Sequence, residues 1–271
     1  MRHAKTVGLC LVTALATVSM TTVPAQAWQK PWWRVQCHKV STKNAGTGAW
    51  SDGACTKPSE KGEYSVALME GEERPFTFKS EKSILHTGAG IEIECVSDTG
   101  KGRLIGKFPG TDTEEMQLEK CKVVGNTKCH VSNAGNTSNE TIQMTNLATK
   151  LVFLTNKIST PVGDTVKSAT GKAIELKFTA VEGGTCAISS ASLEGETAGE
   201  WLEPEVVAVS KTLNFPNPAI KKAWEGVAEP LTEITFELEF VTTSKFSASL
   251  ETRELLQLES KEAWSVSTAT I

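Results

Sequence analysis

The sequence predicts an all-β protein: an antiparallel β-sandwich or barrel-like unit preceded by a small disulfide-stapled β segment. Three observations lead there. Several stretches alternate apolar and polar residues with period two, turn residues recur at short intervals, and six cysteines follow an apolar leader.

The leader comes first. Arg2 and Lys5 precede an apolar run from Val7 to about Met20, and Ala25-Gln26-Ala27 follows, the three-part layout of a secretory signal peptide over residues 1–27. Cleavage is expected before Trp28. The run is short and rich in Thr and Ala, and the rest of the chain has no stretch of about 20 apolar residues, so the expectation is an extracytoplasmic or secreted protein without a transmembrane anchor. Cys10 lies inside the leader behind Leu9, which does not fit a lipidation site.

Residues 28–75 read as a small unit containing Cys37 and Cys55, bounded by the charged stretch Glu70-Gly71-Glu72-Glu73-Arg74-Pro75. Residues 76–271 read as the larger antiparallel unit. Within it Ile91, Ile93 and Cys95 alternate with Glu92 and Glu94, and Ile174, Leu176, Phe178 and Ala180 alternate with Glu175, Lys177 and Thr179. Near the C-terminus Ile234, Phe236, Leu238 and Phe240 share one face, and Phe246, Ala248 and Leu250 repeat it after Thr242-Thr243-Ser244, which predicts a hairpin with an apolar, core-facing side. Helical signal is weak: Ala219–Trp224 fits one or two turns after Pro218, and Arg253–Glu259 reads as helix or strand, because its leucines fit neither period.

In an exported chain the even set Cys37, Cys55, Cys95, Cys121, Cys129 and Cys186 predicts three disulfides out of fifteen possible pairings. The expected set is Cys37–Cys55, Cys121–Cys129 across the Gly125-Asn126 turn, and Cys95–Cys186.

Three stretches carry a resemblance: Val35-Gln36-Cys37 through Trp50-Ser51-Asp52-Gly53-Ala54-Cys55, then Ile93-Glu94-Cys95-Val96-Ser97-Asp98-Thr99-Gly100-Lys101-Gly102 leading to Cys121 and Cys129, and Gly184-Thr185-Cys186. Together they resemble a group of secreted bacterial β-rich proteins with a Cys-stapled N-terminal segment. The resemblance implies fold and compartment and brings no activity with it.

Motifs for chemistry are sparse. Asp98-Thr99-Gly100 matches the loop of an aspartic protease, which needs two such carboxylates, but only one copy exists and Ser97 precedes it. The competing expectation is a hairpin tip in which Asp98 opens the turn and Gly100 and Gly102 take positive φ. Gly-x-Ser-x-Gly and Ser-x-x-Lys are both missing, which leaves His38, His86 and His130 as bases without a nucleophile motif. Cys37-His38 and Cys129-His130 could ligate a metal only if reduced, so disulfides are expected there and no metal or cofactor. After the leader there are four Asp and no calcium loop, and Glu70, Glu72, Glu73, Glu114 and Glu115 read as solvated edge or loop charges.

Trp28, Trp32, Trp33 and Trp50 crowd one region and are candidate ligand-binding aromatics, against the alternative that they cover an edge strand as core. Asn136-Thr137-Ser138 and Asn139-Glu140-Thr141 mark an exposed polar loop. A formal charge of −4 disfavours nucleic acid. The functional expectation is therefore an exported non-enzymatic protein, either a structural component of the cell envelope or a module that binds cell-wall glycan or another envelope protein. The alternative is a secreted hydrolase that uses Glu or Asp carboxylates. No catalytic residue is singled out.

Overall fold

The computed structural model describes residues 30–267 except 56, 108, 134–137, 139, 156–160, 226–232 and 236. The expected leader, Trp28, Phe236, Asn136 and Asn139 lie outside the described residues. Among those described the chain is built almost wholly of strands, with one three-residue 3-10 turn at Thr42–Asn44 and no α-helix. No helix is long and apolar enough to cross a membrane.

In chain order the strands are β1 (Trp32–Lys39), β2 (Gly48–Trp50), β3 (Pro58–Gly62), β4 (Tyr64–Leu68), β5 (Glu73–Ser80), β6 (Ser83–Thr87) and β7 (Glu92–Cys95). Then follow β8 (Ser97–Ile105), β9 (Thr111–Glu119), β10 (Lys122–Val123), β11 (Asn126–Asn133), β12 (Ile142–Phe153), β13 (Val162–Ser168) and β14 (Ile174–Ala180). The last are β15 (Ser190–Leu202), β16 (Ser210–Phe215), β17 (Lys222–Trp224), β18 (Glu233–Thr235), β19 (Leu238–Val241), β20 (Lys245–Leu258) and β21 (Ser265–Ser267).

Five strands form the N-terminal sheet in the order β21-β1-β4-β2-β3, so its edge strand comes from the C-terminal end of the chain. Residue 75, the expected boundary, falls inside β5. The other strands make one antiparallel sheet whose pairings close twice. One circuit runs β5-β8-β9-β12-β13-β15-β16-β20 and back to β5. The second runs β6-β7-β10-β11-β14-β15-β19-β20 and back to β6.

Both circuits use β15 and β20, which the chain makes unusually long at 13 and 14 residues. At roughly 3.3 Å per residue such strands reach about 45 Å, more than twice the common length, so one half can serve each circuit. Residues 190–195 of β15 pair with β14 and β19, while residues 196–200 pair with β13. Gly195 stands at that handover with φ +108, and a Cβ there would lie 2.0 Å from the Glu237 carbonyl oxygen. A glycine is needed where the strand bends against its neighbour.

The alternating stretches behave as expected of half-buried strands. Ile93 and Cys95 are buried beside Glu92 and Glu94, and Leu176 and Phe178 beside Glu175 and Lys177. The C-terminal hairpin forms in register from Leu238 on, with Leu238 opposite Ala248 and Phe240 opposite Phe246, whereas Ile234, expected on the same strand, belongs to β18 and pairs with Ala223 of β17. Phe240 is fully buried, Leu238 only half-buried, and Glu237 exposed.

Several expectations are corrected. Asp98-Thr99-Gly100 is no hairpin tip: it lies within β8, paired with β5 and β9, and neither Gly100 nor Gly102 takes positive φ. The glycines instead make room for aromatic rings, since Gly100 pairs with Phe78 and Gly102 with Phe76, and a Cβ at Gly100 would lie 2.0 Å from Phe78 Cζ. Gly100→Val is therefore expected to destabilise the fold by about 1–3 kcal/mol in chemical denaturation, by forcing Phe78 out of place. An unchanged midpoint would contradict this packing. Lys222–Trp224 is a strand, not a helical turn, and Arg253–Leu258 continues β20 with Glu254, Leu256 and Leu258 inward and Leu255 outward.

Of the expected disulfides, Cys37–Cys55 forms, and the other two are replaced by Cys95–Cys121 and Cys129–Cys186. Strand register is the reason. Lys122 pairs with Glu94, which brings Cys121 alongside Cys95 at a Cα separation of 4.0 Å. The Cys121 carbonyl accepts from the Val131 N–H, so Cys121 faces residue 131 and not Cys129.

A three-tryptophan cluster joins the N-terminal sheet to the first circuit. Trp33 of β1 sits edge-on to Trp201 and Trp264 at 5.8 and 5.9 Å, and those two are 5.5 Å apart. All three are at most 1 % exposed.

Candidate functional site

Two interior features have chemistry. The first is acidic. Asp98 on β8, Asp112 and Glu114 on β9, Asp164 on β13 and Glu254 on β20 are at most 6 % exposed and lie inside the first circuit. On β9 the phase is plain: Asp112, Glu114, Met116 and Leu118 are buried while Thr113 and Glu115 are exposed. Glu114 is thus not the solvated charge expected of it, although Glu115 is exposed.

The hydroxyls of Ser80 (2.5 Å), Thr252 (2.9 Å) and Ser83 all donate to Asp98 Oδ2. Burial pushes the Asp112 carboxyl up to about 7, against the lowering influence of hydrogen bonds from Thr149 and with Asp164. Asp164, Glu114 and Glu254 are pushed well above the ordinary carboxyl range, first by burial and then by the neighbouring acidic groups. Like charges in a dry interior cannot all ionise, so Glu114, Asp164 and Glu254 hold protons at neutral pH. Closed to solvent, it offers no surface to a substrate. Among the described residues no group of three or more His, Cys, Asp or Glu side chains is arranged to hold a metal ion.

The second feature is a cavity of about 400 Å³, within the range of small-molecule sites, roughly 300–1,000 Å³. It lies where the two circuit interiors meet. One wall is Leu85, Ile93 and Cys95 of β6 and β7, another Met116, Leu118, Ile142, Met144 and Leu147 of β9 and β12, and a third Leu176, Leu193, Leu238 and Leu250. The period-2 patterning that makes these strands half-buried also supplies the apolar lining. The buried hydroxyl of Ser83 is a polar point in the depth, linking the cavity to Asp98 behind it.

The charged lining groups gather at the mouth. Lys167, Ser168, Gly171 and Lys172 edge it on the β13–β14 side, and Glu194, Gly195, Glu196 and Glu237 on the other. An apolar chamber with a charged rim can accept an apolar molecule and leave its polar end in water.

The aromatic candidates lie elsewhere. Trp32 and Trp33 are buried, Trp50 is half-buried on β2, and none of them lines the cavity. His86 is held between Glu92 (2.9 Å) and Glu251 (2.7 Å), His130 contacts Glu140 at 2.9 Å, and His38 is exposed. These three are not brought together. The cavity itself escaped the sequence reading because each lining residue looks like ordinary core. The acidic cluster was legible in principle, since Asp112 and Glu114 are in phase with Met116 and Leu118. No protein-family model matches this chain, and no curated protein and no solved structure is significantly similar to it.

Proposed function

We propose that this chain is an exported, non-enzymatic binding protein of the extracytoplasmic space, and that it takes a small apolar molecule into its interior cavity. The observation that carries this reading is the 400 Å³ chamber lined by aliphatic and thioether side chains beneath a charged rim. A strand circuit of eight is wide enough to hold one small ligand. The pairing of Cys37, Cys55, Cys95, Cys121, Cys129 and Cys186 into three disulfides supports an oxidising compartment, in keeping with the leader read from residues 1–27. Trp32 and Trp33 are buried and so out of reach of a stacking glycan, and Asp98, Asp112, Glu114, Asp164 and Glu254 are closed to a substrate.

The test is displacement of the fluorescent apolar probe N-phenylnaphthylamine by straight-chain alcohols. Each added methylene should tighten binding roughly fourfold, from about 0.8 kcal/mol per buried CH₂, until the chamber is full. Leu193→Trp, which fills the chamber, should weaken binding by at least about tenfold. Absence of saturable binding, or a Leu193→Trp variant that binds as the parent does, would overturn the reading.

A further inference from the structure

We infer that the cavity selects a single-chain zwitterionic amphiphile, with its alkyl chain inside and its two head charges read by Lys172 and Glu237 at the rim. This rests on the apolar-ligand reading above and adds the identity of the head group.

The argument is one of charge pairing around the mouth. Lys167 stands directly opposite Glu196 in the β13–β15 register, so each has a cross-strand neighbour of opposite charge, though no ion pair joins the two side chains. Glu194 is engaged by Lys245 at 3.6 Å. Of the rim charges this leaves Lys172 and Glu237, each exposed and, among the described residues, each without an ion-pair partner. They have opposite signs and stand on opposite flanks of β15.

Both positions are set by the backbone. Lys172 follows a tight turn in which the Gly171 N–H donates to the Ser168 carbonyl at 3.1 Å, with Gly171 at φ +65. Glu237 is anchored because its carbonyl accepts the Glu196 N–H at 3.0 Å, an approach that the absent Cβ of Gly195 permits. A head with one anionic and one cationic group satisfies both residues at once. A simple anion leaves Glu237 facing it unpaired, and a simple cation does the same with Lys172, and like-charge juxtaposition selects against wrong partners.

The experiment compares four probes with the same dodecyl chain and different heads, below their micelle concentrations: dodecylphosphocholine, dodecanoate, dodecyltrimethylammonium and dodecyl maltoside. The expected result is tightest binding of dodecylphosphocholine, by about tenfold over either singly charged probe. Lys172→Glu should then turn the preference toward dodecyltrimethylammonium, and Glu237→Lys toward dodecanoate. Equal affinity for all four heads, or a preference that neither charge reversal moves, overturns the head-group inference while leaving the apolar-ligand reading intact. Failure of all four to bind overturns both.

Discussion

Raising the pH from about 5 to about 8 should lower the stability of this protein, the reverse of ordinary acid denaturation. The cause is the set of carboxyls inside the first strand circuit. Asp112 titrates near 7 in the fold against 3.8 when unperturbed, and Glu114, Asp164 and Glu254 lie well above their ordinary values. A folded-state pKa raised above the unfolded one stabilises fully below the unfolded value, and that stabilisation is lost as pH rises through the folded value.

In that window each carboxyl that keeps its proton only in the fold costs about 1.4 kcal/mol per pH unit, on the order of 4 kcal/mol for Asp112 alone between about pH 4 and 7. His86 acts in the same sense. Burial lowers its pKa, but the hydrogen bonds to Glu92 and Glu251 outweigh this and raise it. Lys211 acts in the opposite sense, because burial lowers it to about 8, and stability is regained only above that pH. Urea denaturation at a series of pH values measures the slope, and Glu254→Gln should flatten it by removing one titrating group. A stability that is flat or rises between about pH 5 and 8 would contradict the protonated cluster.

Trp33→Ala should cost about 3–5 kcal/mol, the range for truncating a fully buried aromatic. Trp33 is 1 % exposed, packs edge-on to Trp201 and Trp264, and donates from Nε1 to the Thr111 carbonyl at 3.0 Å. Its loss opens a void at the joint between the N-terminal sheet and the first circuit and leaves that carbonyl one donor short. Trp50→Ala, at a half-buried position on β2, should cost clearly less. Chemical denaturation of both variants checks this, and a Trp33→Ala loss below about 1 kcal/mol would mean that the joint does not hold the sheet.

Local pattern made the strands legible and left the closure hidden. The alternation at Ile174–Ala180 and the apolar phases on either side of Thr242-Thr243-Ser244 translate directly into β14 and the β19–β20 hairpin. The sharing of β15 and β20 between two circuits depends on partners far apart in sequence, such as Lys211 with Leu256 and Leu193 with Phe240. No local period carries that information. The same non-locality misdirected the disulfides, because proximity in sequence suggested Cys121–Cys129 whereas register placed Cys121 beside Cys95.

The turn expected at Asp98-Thr99-Gly100 failed for a different reason. Propensity alone marks Asp-Thr-Gly as a turn, while the cross-strand Phe76 and Phe78 rings that need those glycines lie some twenty residues upstream. Carboxylates belong by default to the surface, and only their phase with Met116 and Leu118 marks Asp112 and Glu114 as interior.

The measurement that tests the central claim most directly is a crystal structure of the protein grown with dodecylphosphocholine. The account predicts continuous alkyl density between Ile93, Leu193 and Leu250, with the head group at the mouth beside Lys172 and Glu237. A chamber that is collapsed, or that holds only ordered water while the amphiphile sits elsewhere on the surface, would contradict it.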